Sequence, residues 1–172
     1  MTWLVLQSVF LALPVLLPMA LYRSCHPFMA AFYRAMTGNV QARKLYTQLL
    51  VVLLLLFHYV YTNGHPGQFG VVLSTIVCAV LFSHRRADRW LRKLHDRPRT
   101  FAIYGFIALA ICAVPYLFTM SVTISYILLA ALFYPSGRIL AEWEHRDKRF
   151  YLSEHPDEMS DCYHCNHHAR LP

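Results

Sequence analysis

No Asp, Glu, Lys or Arg occurs within residues 1–22, 45–84 or 100–137, so every formal charge in the chain lies between or after these three stretches. Lipid sorts residues in this way, because a charge at the bilayer centre costs about 2.5 to 3.5 kcal/mol even on insertion scales. A helix on a soluble core keeps its charges on the outward face instead. With 57% hydrophobic and 15% charged residues in 172, composition points the same way: an all-α integral membrane protein.

The number of crossings follows from length. Residues 101–137 form 37 uncharged positions, which as one helix would extend about 55 Å against a hydrocarbon core of about 30 Å. Two short spans joined by a turn fit better. That turn is expected at 119–123, where Thr119, Ser121, Val122 and Thr123 follow Pro115, since proline disturbs the helical ladder and small polar residues favour turns. In the preceding run Thr62-Asn63-Gly64-His65-Pro66-Gly67 is a turn written in breaker residues. Residues 1–22 lack a basic leading segment and a small-x-small cleavage pattern, which makes them an anchor rather than a removable signal. The expectation is an N-terminal anchor plus two helical hairpins: five transmembrane helices at about 2–22, 45–61, 67–83, 101–118 and 121–136.

Basic residues orient such a bundle. Arg23, Arg34, Arg43 and Lys44 lie in one connection, and Arg85, Arg86, Arg89, Arg92, Lys93, Arg97 and Arg99 in another against only Asp88 and Asp96. Both connections belong on the cytoplasmic side. Five spans put Arg138, Arg146, Lys148 and Arg149 there too, with the N-terminus outside and the C-terminus cytoplasmic. Four spans, the alternative, would export the tail. Trp3, Tyr59 and Tyr61 then fall at outer boundaries and Tyr22, Tyr46, Tyr134 and Trp143 at inner ones, where amphipathic rings prefer to sit. The expected location is a bacterial inner (plasma) membrane, with the chain multi-pass in it.

Between the hairpins, residues 84–96 read as an interfacial amphipathic helix. Ala87, Trp90, Leu91 and Leu94 share one face, with Arg85, Arg86, Arg89, Arg92 and Lys93 around the other. These cations attract anionic headgroups, at roughly 1 kcal/mol each near the surface. The net charge of +7 therefore serves topology and lipid contact, and no nucleic-acid partner is expected. In the third span Gly70, Ser74 and Cys78 recur every four residues, a stripe that lets another helix backbone approach closely. It would serve either the bundle itself or a partner's helix.

Residues 138–172 form a cytoplasmic tail, expected as a short helix at 138–150 and then a flexible Cys/His-rich end. Glu142 with Arg146 and Glu144 with Lys148 have the favourable four-residue spacing, so these acids solvate a helix and form no catalytic pair. The end reads Cys162-x-x-Cys165 followed by His167 and His168, with His164 between the cysteines. Thiolates and imidazoles at that spacing suit tetrahedral zinc, or copper. All of them crowd one terminus, however, where no second ligand pair is held apart by a fold, so an incidental cluster is the competing reading. A redox CxxC lacks its thioredoxin-like setting. His58 is expected to be hydrogen-bonded near the outer end of its span, and Cys78 and Cys112 to act as small apolar packers.

Function is constrained mainly by exclusion. The spans hold no carboxylate or basic group to couple ion transport, and no phosphate-binding glycine loop, HExxH or nucleophile elbow occurs. The expectation is a small non-catalytic membrane protein acting through a membrane-protein partner, as an accessory or assembly subunit or an immunity or exclusion-type factor. The alternative is a metal-handling protein using the Cys/His tail. Third comes a lipid-active enzyme with His84, His95 and the arginines at a headgroup. No organic cofactor is implied.

Overall fold

The computed structural model describes residues 2–22, 24, 26–64, 69–81, 83–114 and 116–164. Among them the secondary structure is entirely helical: α1 (Thr2–Leu21), α2 (Pro27–Gly38), α3 (Val40–Gly64), α4 (Phe69–Leu81), α5 (His84–Asp96), α6 (Pro98–Cys112), α7 (Phe118–Leu132), α8 (Gly137–Glu144), α9 (Arg146–Glu154) and α10 (Pro156–His164). Two described helices are long and apolar enough to cross a membrane, Val40–Thr62 and Phe118–Glu144. A third crossing results if α4 and α5, which meet at a bend of 101°, count as one broken span. Ser8–Leu21 and Pro98–Cys112 are apolar but shorter.

Helix α7 is the axis of the molecule, with α1, α3, α4, α5 and α6 all packed against it. Its polar residues explain how it can be buried. Thr123 Oγ1 donates to Thr119 O at 2.7 Å and Ser125 Oγ to Ser121 O at 2.9 Å, both within the helix. Ser121 Oγ crosses to Ala108 O of α6 at 2.7 Å, and Tyr126 OH reaches Phe10 O of α1 at 2.6 Å. These bonds correct the expected turn at 119–123. Hydroxyls that bond carbonyls four residues back are compatible with helix, so Thr119, Ser121 and Thr123 lie in the first turns of α7 instead of interrupting the chain. The reversal lies earlier, around Tyr116, whose φ of 67° is left-handed backbone.

Local signals account for most other boundaries. Pro27 and Pro98 open α2 and α6 at the first turn, where proline's missing N–H costs nothing. The Arg43 guanidinium donates to the carbonyls of Met36 and Thr37 at 2.9 and 3.1 Å, satisfying the C-terminal end of α2. Ser136 caps α8 by accepting from Ile139 N at 3.3 Å, the usual role of serine at that position.

The tail differs from expectation in two ways. The anticipated helix at 138–150 is broken at His145 into α8 and α9, and Glu142 takes Arg138 as its partner, at 2.9 Å, rather than Arg146. The end expected to be flexible is helical as far as His164. There Met159, Ser160, Tyr163 and His164 are buried, and α10 packs on α2. Helix α2 likewise occupies a stretch read from sequence as a connecting loop, burying Met29, Ala30, Tyr33, Met36 and Thr37.

Candidate functional site

Two polar clusters lie inside the bundle. The first joins α3, α4 and α7. Gly70 brings α4 against the start of α7: its N–H donates to Tyr116 O at 3.1 Å, and a Cβ there would lie 2.3 Å from that oxygen and 2.7 Å from Thr119 Oγ1. One and two turns on, Ser74 and Cys78 are also buried, so the small-residue stripe is the contact face of α4 inside the chain. His58 of α3 is buried beside it, with Nδ1 3.9 Å from Cys78 Sγ and Nε2 3.3 Å from Thr123 Oγ1. Its hydrogen-bond partners come from two other helices, while His65 lies outside the described residues. One imidazole, one thiol and one hydroxyl joined in this way hold three helices in register. Among the described residues no third metal-ligating group joins them.

The second cluster closes the opposite, tail-bearing end. Tyr163 of α10 stacks against Tyr33 of α2 with ring centres 4.4 Å apart, and its hydroxyl donates to Phe133 O at 2.8 Å. His164 Nε2 and the Tyr33 hydroxyl are 3.2 Å apart, and Tyr22 packs on the same imidazole at 4.6 Å between centres. From α5 comes His95, its ring centre 6.1 Å from that of His164. His95 Nδ1 lies 2.9 Å from Ala131 O, so it carries the proton and donates, and the Tyr163 backbone also comes close to the ring. Burial lowers the basicity of His95. The carbonyl of Ala131, the Asp96 charge and the Tyr163 backbone oppose that shift less strongly. Burial also raises Tyr163 well above the usual phenol range, with Tyr46 and Tyr33 adding to it. At this pair of residues the site is neutral and largely dry.

The predicted tail ligands divide. Cys162 and His164 lie on α10, two residues and therefore about 200° apart around the helix; Cys162 is half-buried and His164 buried. Cys165, His167 and His168 lie outside the described residues. Among the described residues no three His, Cys, Asp or Glu side chains gather at metal-binding distance.

Helix α5 carries the predicted basic face. Arg85, Arg86, Arg89 and Lys93 are exposed, while Arg92 is partly buried and paired with Asp88, which also accepts from Tyr134 OH. Ala87 and Leu91 are buried, but Trp90 is about half exposed. Sequence reasoning gave no role to Asp88 and considered His95 only at a lipid headgroup, not inside the bundle. Their spacing from Leu91, three and four residues, could have placed both on the inward face.

An apolar groove of about 780 Å³ runs between α1, α6 and α7, with Pro14 and Pro18 on one wall and Gly105, Ser121 and Ser125 on the others. No family of known proteins, no curated protein and no solved structure matches this chain.

Proposed function

We propose that this chain is a five-span bundle of a bacterial inner membrane, with its N-terminus outside and its tail cytoplasmic, and that it acts without catalysis by holding a helix of a partner membrane protein. Two observations support five crossings. Helices α1 and α4 and residues 100–112 of α6 are apolar and uncharged, like residues 45–64 of α3 and the whole of α7, and every Lys and Arg lies outside these stretches; bilayers thin around spans of this length at modest cost. Exposed Arg85, Arg86, Arg89 and Lys93 then rest on anionic headgroups of the inner leaflet.

The groove between α1, α6 and α7 carries the functional reading. Ala102, Gly105, Ala108, Ser121 and Ser125 are among its lining residues, and Gly105 has open space where a Cβ would be. A neighbouring helix can approach closely at such a surface, which is how helices associate in lipid, where burial of apolar area gives no net gain. The large exposed side chains of α6, Phe106 and Leu109 among them, rim it.

A photoreactive residue at Phe106 or Leu109 tests this in native membranes, with Leu55 on α3 as an exposed control. A single partner should be captured from the α6 positions and not from the control. Repeated recovery of the chain without a partner contradicts the reading. A metal-handling role is the second reading, favoured by the approach of His95 to His164.

A further inference from the structure

A second crevice, of about 450 Å³, lies between α4, α5, α6 and α7, and it is graded from apolar to charged along its length. Its floor is Met120, Ile124 and Leu128 of α7. Trp90 and Lys93 of α5 stand at one end, and Lys93 is the only charged side chain among the described residues that line it. From Met120 to Leu128 the helix rises about 12 Å, against about 15 Å for one leaflet's half of a hydrocarbon core of about 30 Å. The crevice therefore has the length of one acyl chain and carries its cation where a headgroup would begin.

Charge at the mouth points to an anionic head. Arg89 and Lys93 are exposed one turn apart on α5, and the exposed Arg97 follows at its C-cap. Both acids of α5 are engaged with the body of the protein: Asp88 is paired with Arg92 and accepts from Tyr134 OH, and Asp96 accepts from Gly137 N at 3.3 Å. What α5 presents at the mouth is thus positive. Geometry favours a lipid over a second helix. Helix α5 leaves α4 at 101° and runs across this end of the crevice, where a transmembrane helix lying in it would have to stop. A phospholipid does stop there, its phosphate beginning at the depth that interfacial Trp and Lys side chains occupy.

We propose that this crevice seats one anionic phospholipid of the leaflet beside α5, with an acyl chain along Met120, Ile124 and Leu128 and the phosphate on Lys93, supported by Arg89. Exchanging one apolar surrounding for another gives the chain no net gain. Selection therefore falls to the head, where each nearby cation is worth about fivefold in affinity, while the crevice fixes where the chain lies. The seated lipid would fill the space between α4 and α6 on that side of α7. The proposal rests on the reading of α5 as an interfacial helix. It is independent of the partner helix at the groove between α1, α6 and α7, which crosslinking at Phe106 and Leu109 tests alone.

The full chain in detergent micelles is offered equal amounts of phosphatidylglycerol and phosphatidylcholine of the same chain length, and retained lipid is counted by native mass spectrometry. One phosphatidylglycerol per chain is expected, in preference to phosphatidylcholine, and excess glycerol 3-phosphate should not displace it. Lys93→Gln should lower the preference about fivefold. Ile124→Phe keeps every cation but fills the floor, and should abolish retention. Equal retention of the two lipids, or unchanged retention in Ile124→Phe, overturns the proposal, the second because surface charge alone would then bind. If Ile124→Phe does not fold, the wild type in phosphatidylcholine nanodiscs decides, with two photoreactive phosphatidylglycerols, one carrying its diazirine on the head and the other in mid-chain. The first should label α5, and the second Ile124 to Leu128 of α7 in preference to the exposed Phe106 and Leu109 of α6. Head labelling of α5 with chain labelling only at Phe106 and Leu109 overturns the seat and leaves α5 at the interface; absence of head labelling on α5 overturns both.

Discussion

Helices α6 and α7 come from the same uncharged stretch, have 15 residues each and pack along one another, yet they occupy opposite environments. On α6, Phe106 is 74% and Leu109 71% exposed, whereas on α7 Thr119, Thr123, Tyr126 and Ala131 are at 0%. Hydropathy does not separate them. What separates them is the hydroxyl content of α7, five Ser, Thr or Tyr side chains over residues 119–126, four of which donate hydrogen bonds. Where the surrounding solvent is as apolar as leucine, a large hydrophobic side chain gains little by burial, while a hydroxyl gains a partner. The helix with more polar groups therefore becomes the core.

Paired substitutions test the contrast. The largest effect is expected at glycine. In Gly70→Ala the new Cβ meets the Tyr116 carbonyl at 2.3 Å, so α4 must leave α7, and a loss of about 3 kcal/mol or more should appear in thermal unfolding in micelles. Gly105→Ala, with nothing within 4 Å, should instead gain up to about 1 kcal/mol of helix propensity. Next, Ala131→Leu overfills the core and should cost about 1 to 3 kcal/mol, while Leu109→Ala on α6 should stay within about 0.5 kcal/mol. Tyr126→Phe removes the bond to Phe10 O and should cost about 1 kcal/mol; Tyr104→Phe, on exposed α6, should leave the melting temperature unchanged. Equal losses within any pair would remove the distinction.

The smallest effect is in pH. Burial holds the His95 pKa below the ordinary imidazole value of about 6.5, so the unfolded chain binds the proton first. The contribution of His95 to stability is present above about 6.5 and is lost as pH falls through the lower folded value. In metal-free protein, hydrogen exchange in α10 should therefore speed up as pH drops below that point. Loosening as pH rises would contradict the neutral, buried assignment.

Charge segregation made the apolar helices legible, because lipid punishes charge regardless of tertiary detail. The start of α7 was misread for the opposite reason: Thr119, Ser121 and Thr123 look like turn residues until their hydroxyls find helix carbonyls, and that choice depends on burial. Helices α2 and α10 did carry signals. Met29, Tyr33 and Met36 follow Pro27 at helical spacing, as Met159 and Tyr163 follow Pro156, but Cys162-x-x-Cys165 drew attention to chemistry rather than to periodicity. The meeting of His95 with His164 was not legible at all. It arises only when α5 and α10 both reach the end of α7, a contact no local pattern encodes.

The proposed five crossings make α6 and α7 two separate spans and return the chain to the side bearing its arginines. Fusion at Pro172 to a fluorescent protein that matures only in the cytoplasm, in parallel with a phosphatase active only outside, tests this directly. Five crossings predict fluorescence and an inactive phosphatase. An active phosphatase with a dark fluorescent fusion would place the tail outside and contradict the arrangement.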